Sequence, residues 1–244
     1  MRRILLLIGF FWLSLAAAAG ARDEAASPFD RTLSPSERLQ ALAERMRAAH
    51  ETLETLEADF SQVKWSALLL EPDRSEGEFS YAAPDRVRWE YSRPEPVSLV
   101  IAGRLMTTWY RDIAKAERAQ VGEQSDRVFR YLGAGTSLDA LLKYFRVSMH
   151  LSPNGDDPLR LELSPRFERV ASRIQGIDLW LHPTLFLPVR LKYVEGDGDV
   201  TEYEFRNLRV NAGIPDDRFE LDLPRDVEVR EVRFETQAGA GDPR

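Results

Sequence analysis

The residues able to do chemistry are few. The chain has three histidines, at His50, His150 and His182, and no cysteine. It therefore has no thiol nucleophile, no disulfide and no thiolate metal site. A site built on several imidazoles would need nearly all three histidines. His50 falls beside the polar face of a helix, and His182 precedes Pro183 in a turn. Asp and Glu together number 40, yet no spacing marks two of them as an acid and base pair. There is no G-x-S-x-G elbow, P-loop, H-E-x-x-H or G-x-G-x-x-G. Gly133-Ala134-Gly135 sits between helical segments and lacks the third glycine of a dinucleotide fingerprint. The chain reads as a non-enzyme with no metal or cofactor.

Apolar residues at strand spacing are abundant instead. Gly77, Phe79 and Tyr81 alternate with Glu76, Glu78 and Ser80, and Val87, Trp89 and Tyr91 with Arg86, Arg88 and Glu90. The same period of two recurs at Leu99 and Ile101, at Ile177, Leu179 and Leu181, and at Tyr203 and Phe205. A sheet with one large apolar face results. Phe60, Phe79, Val87, Trp89, Tyr91, Leu99, Ile101, Met106 and Leu179 are its candidate ligand-facing residues. Two readings share this pattern: a filled core, or a cavity for an apolar ligand. Arg86, Arg88 and Arg93 cluster beside Trp89 and Tyr91. They form a solvated face balanced by Glu90 and Glu95, or a docking patch or polar rim, for which Arg86 and Arg88 are the candidates.

The elements that position these residues are mostly strands. They are read at Ala58 to Trp65, Glu76 to Tyr81, Arg86 to Tyr91, Val97 to Ile101 and Leu105 to Tyr110. Strands resume at Arg146 to Leu151, Leu159 to Ser164, Ile174 to His182, Pro188 to Val194 and Val200 to Val210. Phe219-Glu220-Leu221 can be a last short one. A helix precedes them all. Ser34-Pro35-Ser36-Glu37 has an N-cap, a proline in the first turn and a capping-box glutamate. Leu39, Leu42, Met46, Ala49, Leu53 and Leu56 then make one apolar stripe over about six turns. Leu39, Leu42 and Met46 are the candidate lid. Asp126 to Leu132 and Ser137 to Phe145 look like short helices that need a larger body to pack on. The fold class is mainly β (α+β): ten or eleven strands in one antiparallel sheet curled into a barrel or half-barrel, with the amphipathic helices as its lid.

Composition bounds the rest. The chain has 244 residues, 43% hydrophobic and 30% charged, which is globular composition. Its formal net charge is -7, without the basic footprint that non-specific nucleic-acid binding needs. Met1-Arg2-Arg3, the apolar run Ile4 to Leu15 and the small residues Ala19-Gly20-Ala21 match a secretory signal peptide with cleavage after Ala21. The division is a signal peptide over 1-21, a polar leader over 22-33, one domain over 34-225 and a C-terminal tail over 226-244.

With these residues in place, the chain resembles the LolA family of periplasmic lipoprotein carriers. Ala58-Asp59-Phe60-Ser61-Gln62, Gly77-Glu78-Phe79-Ser80-Tyr81 and Pro84-Asp85-Arg86-Val87-Arg88-Trp89-Glu90-Tyr91 carry the resemblance. Gly103, Trp109-Tyr110 and Leu187-Pro188 extend it, from about residue 35 to 225. The resemblance implies a half-open antiparallel β-barrel of about 11 strands covered by amphipathic helices, in a monomeric periplasmic carrier whose apolar cavity takes lipoprotein acyl chains. Its implied partners are acylated lipoproteins, the inner-membrane LolCDE ABC transporter and the outer-membrane receptor LolB. Val87, Trp89 and Tyr91 would face the cavity, with Phe60 and Leu56 near the lid. The chain departs from the family at Ala83, where an arginine ties the sheet to the lid helices. A carrier of a different lipid or amphiphile, or a lipid-sensing envelope module, is the other reading.

Overall fold

The computed structural model describes residues 27–120, 138–152 and 157–232. Helix α1 (Pro35–Glu51) is followed by β1 (Thr55–Trp65), β2 (Asp73–Ala82), β3 (Arg86–Arg93), β4 (Val97–Ala102), β5 (Leu105–Tyr110) and β6 (Lys115–Gln120). Next come α2 (Leu138–Leu142), β7 (Phe145–His150), β8 (Leu159–Pro165), α3 (Glu168–Ala171), β9 (Ile174–Leu181), β10 (Pro188–Glu195), β11 (Val200–Val210) and β12 (Glu228–Val232). Single 3-10 turns occupy Arg111–Ile113 and Asp216–Phe219.

One 12-stranded sheet runs in the order β12-β6-β5-β4-β3-β2-β1-β11-β10-β9-β8-β7. Among the described residues its two end strands do not pair with each other, so the sheet is open. All pairings are antiparallel except that of β12 with β6, which is parallel. The expected mainly β fold and the strand periods hold. β6 and β12 are additions to the expected set. β6 was hidden because Lys115-Ala116-Glu117-Arg118-Ala119-Gln120 buries only two small alanines. β12 is an exposed edge strand lying within the range assigned to the tail. Phe219-Glu220-Leu221, read as a strand, is not one: Phe219 ends a 3-10 turn and packs its ring on Ala82 and Val100.

Helix α1 starts as its capping residues dictate. The Glu37 amide donates to the Ser34 hydroxyl, and the Glu37 carboxylate accepts from the Ser34 amide at 2.8 Å. The helix stops at Glu51, short of the expected stripe. Leu53 and Leu56 leave it, and Leu56 becomes a β1 residue. The cause is Asn211. Its side-chain oxygen accepts from the amides of Glu54 at 2.8 Å and Thr55 at 3.1 Å, and its side-chain nitrogen donates to the Thr52 carbonyl at 2.8 Å. These groups are thereby taken out of the helical ladder. The helix expected over Ser137 to Phe145 is Leu138–Leu142, and Phe145 opens β7. The helix expected over 126–132, the cleavage site and the end of the tail lie outside the described residues. The leader ends in contact with the body: Pro28 is fully buried, and the Phe29 ring lies 6.3 Å from that of Phe186.

The main core lies between the inner face of the sheet and the helices. Phe60, Phe79, Tyr81, Trp89, Tyr203 and Phe205 pack there with Leu161, Leu163, Leu179 and Leu191. Leu42 and Met46 of α1 and Leu138 and Leu141 of α2 close it. Each such side chain contributes about 1.5–3 kcal/mol on burial.

Candidate functional site

The centre of the inner face is a cluster of rings. Strand pairing sets Phe79 opposite Trp89, Trp89 opposite Leu99, and Phe60 opposite Phe205. Trp89 lies 4.8 Å from both Phe60 and Phe79, 5.5 Å from Tyr203 and 5.9 Å from Phe205, centroid to centroid. Edge-on and tilted contacts at these distances are favourable for aromatic rings. Gly77 makes the cluster possible. A Cβ there would stand 2.0 Å from the Glu90 carbonyl oxygen and 2.9 Å from the Phe60 ring. A register shift between Glu76 and Gly77 marks the same close approach.

Towards the β1–β2 turn, the inner face becomes polar. The Tyr91 hydroxyl donates to the Gln62 side-chain oxygen at 3.0 Å. Burial raises the phenol pKa values of Tyr91, Tyr193 and Tyr203 above the ordinary tyrosine value. These hydroxyls therefore stay neutral and serve as hydrogen-bonding groups. Lys64, beyond them, pairs with Asp199 at 3.4 Å and Glu195 at 3.8 Å. With α1 and α2 in place the clustered rings are buried, so the described residues form a filled apolar interior with polar and charged groups at one end.

Phe60, Phe79, Trp89 and Leu179 are buried in the cluster, and Val87, Tyr91 and Leu99 pack against it partly buried. Ile101 and Met106 pair across β4 and β5 but lie outside the cluster. Leu42 and Met46 are buried over it, and Leu39 is partly so. Gln62 was missed as a site residue, although it has the same strand parity as Phe60. Tyr203 and Phe205 were read as apolar sheet residues and belong with the candidate site.

Arg86 and Arg88, candidates for a docking patch or rim, stand on the opposite face, as alternation from Val87 and Trp89 requires. Arg86 lies over the Phe219 ring at 5.1 Å and pairs with Asp216 at 2.5 Å. Arg88 grips Glu90 through two nitrogens, at 2.9 and 2.6 Å, and donates to the carbonyls of Arg218 at 2.9 Å and Glu220 at 3.1 Å. Arg111 reaches Glu90 from the far side at 2.6 Å, and the Ser98 hydroxyl donates to it at 2.7 Å. Burial opposes ionisation of Glu90, but the hydrogen bonds from Arg111, Ser98 and Arg88 outweigh it and hold the carboxyl below the ordinary glutamate value.

At Ala83, the backbone makes a tie of its own: its amide donates to the Glu54 carbonyl at 2.8 Å, beside the end of α1. The described histidines have ordinary structural settings. His50 is exposed, the ring of His150 faces Glu162 at 3.1 Å, and that of His182 accepts from the amides of Thr184 and Leu185.

The profile of the family described as outer membrane lipoprotein carrier protein LolA matches residues 51–222. An outer-membrane lipoprotein carrier protein of Alkalilimnicola ehrlichii is 27% identical over 165 residues, covering 66% of this chain and 70% of the relative. One from Pseudomonas fluorescens is 25% identical over 194 residues, covering 73% of this chain and 83% of the relative. Among solved structures, an uncharacterised conserved protein of Thermus thermophilus superposes with a TM-score of 0.51 at 11% identity, covering 79% of this chain and 98% of that one. That likeness is one of fold. The family is one of carriers, not of enzymes. With most of the described sheet inside the matched span, the chain belongs to the LolA family of outer membrane lipoprotein carrier proteins.

Proposed function

We propose that this protein carries the acyl chains of lipoproteins through the periplasm, from a LolCDE-type transporter to a LolB-type receptor. The supporting observation is the aromatic inner face roofed by α1. Phe60, Phe79 and Trp89, with Val87, Tyr91, Leu99 and Leu179, receive the hydrocarbon. Leu39, Leu42 and Met46 form the lid and leave the sheet when cargo enters. Thr52 to Glu54, where α1 meets β1, is the hinge.

Burying a ~14-carbon chain gains roughly 11 kcal/mol gross at about 0.8 kcal/mol per methylene. A bilayer offers a similar gain, so delivery depends on small differences between successive binding sites. A lid that closes over the empty face supplies such a difference, because cargo must displace it.

The test is the intact mass of the mature protein, isolated from the periplasm and sprayed under native conditions. A bound acylated polypeptide is the expected result. Bound lipid without peptide identifies a carrier of another amphiphile. A protein that stays empty, even when challenged with a triacylated peptide, overturns the reading.

A further inference from the structure

The connection between β1 and β2 places hydrocarbon in water. Leu68 is 94% exposed and Leu70 106%, with Leu69 at 46% and Trp65 at 38%. The loop has a defined shape. The Leu69 amide donates to the Ser66 carbonyl at 3.1 Å, and the Leu68 amide donates to the Ser66 hydroxyl at 3.3 Å. This turn holds three consecutive leucines out from the end of a β-hairpin.

We propose that this loop inserts into the surface of a lipid bilayer. Two features favour a bilayer over a protein socket. Consecutive leucines on a turn project in different directions, and the outer two are free of packing on nearly every side. A rigid groove covers one side of such a loop, whereas fluid hydrocarbon surrounds it. The base of the loop is also built for an interface. Trp65, half exposed, stands where an indole meets head groups. Glu71, Asp73 and Arg74 follow the leucines at once and limit the depth of entry.

The surrounding charge selects the kind of lipid. The β10–β11 turn contributes Glu195, Asp197 and Asp199 beside this hairpin, and Lys64 is already paired with two of them. Acidic neighbours repel an anionic surface. The fitting surface is therefore zwitterionic. The proposal concerns docking alone and stands whether or not the inner face binds acyl chains.

The absence of cysteine makes the test clean. Leu70→Cys takes an environment-sensitive fluorophore at one position. Vesicles of phosphatidylcholine and phosphatidylethanolamine should shift its emission to the blue, and lipids carrying a quencher on the acyl chain should quench it. Replacing a third of the lipid with phosphatidylglycerol should weaken partitioning. Leu68→Asp combined with Leu70→Asp should lower vesicle binding about tenfold or more, while binding of a fluorescent probe to the inner face stays unchanged. A label that remains in water with every vesicle overturns the proposal. So does a label that shifts only with a detergent-solubilised transporter or receptor, which would assign the loop to a protein partner.

Discussion

The rings of Trp89 and Phe60 meet edge to face, with centroids 4.8 Å apart and planes inclined at 72°. Trp89 also touches Phe79, Tyr203 and Phe205, so it is the common member of the cluster. Trp89→Glu should abolish binding of a hydrophobic fluorescent probe, because a carboxylate there lacks a partner. Trp89→Phe should retain most of it. Trp89→Ala should cost about 3–5 kcal/mol, read from urea denaturation. Full probe binding by a folded Trp89→Glu variant would remove Trp89 from the binding surface.

Gly77 admits no side chain without movement of the Glu90 backbone or the Phe60 ring. Gly77→Ala should destabilise by about 1–3 kcal/mol, as overpacking does. The thermal midpoint of the variant, compared with that of Gly176→Ala in β9, where a Cβ would meet only the Leu163 carbonyl oxygen at 3.8 Å, reports whether the close approach or a general glycine effect is responsible.

Asn211 closes the junction between α1 and β1 with three hydrogen bonds. Asn211→Ala leaves those backbone groups without their partner and should cost about 1–3 kcal/mol. Amide hydrogen exchange should quicken first at Glu54 and Thr55. If α1 is a lid on this hinge, the variant should also load and release probe faster. Exchange that quickens evenly over the whole sheet would count against a local hinge.

Glu90 gives the protein an acid-sensitive stabilisation. Its folded carboxyl is held below its ordinary value by Arg111, Ser98 and Arg88, against the opposing effect of burial. Folding therefore favours the ionised form. The contribution is complete above the unfolded pKa and is lost as pH falls through the folded one. Urea midpoints measured from neutral to strongly acid pH should decline more steeply for the parent than for Glu90→Gln. Parallel curves would show that Glu90 is not linked to folding.

Much of the architecture was readable from local patterns. Leu105–Tyr110 and Val200–Val210 fall where alternation and flanking turns put them, with Gly103 in the left-handed conformation at φ 59. The faces of Val87, Trp89 and Tyr91 followed from parity alone. What escaped was non-local. The end of α1 depends on Asn211, far away in sequence, while Leu53 and Leu56 continue the helical spacing by coincidence. β6 exists because β5 and β12 pair with it, not because its residues are apolar. The roles of Arg86 and Arg88 depend on main-chain and side-chain groups of the segment after β11, to which no local signal points. Of the site, the rings were legible by type and spacing, and their depth of burial was not.

Among the described residues the sheet has no closing seam. In a closed barrel, strand number and stagger set the bore, and widening it breaks hydrogen bonds. Here β7 and β12 are free of that constraint on each other. Curvature can relax strand by strand while every ladder stays intact. The interior is thus an elastic clasp rather than a vessel of set capacity. On the proposed carrier function, cargoes with two or three acyl chains would then differ in bending cost and need no different set of contacts.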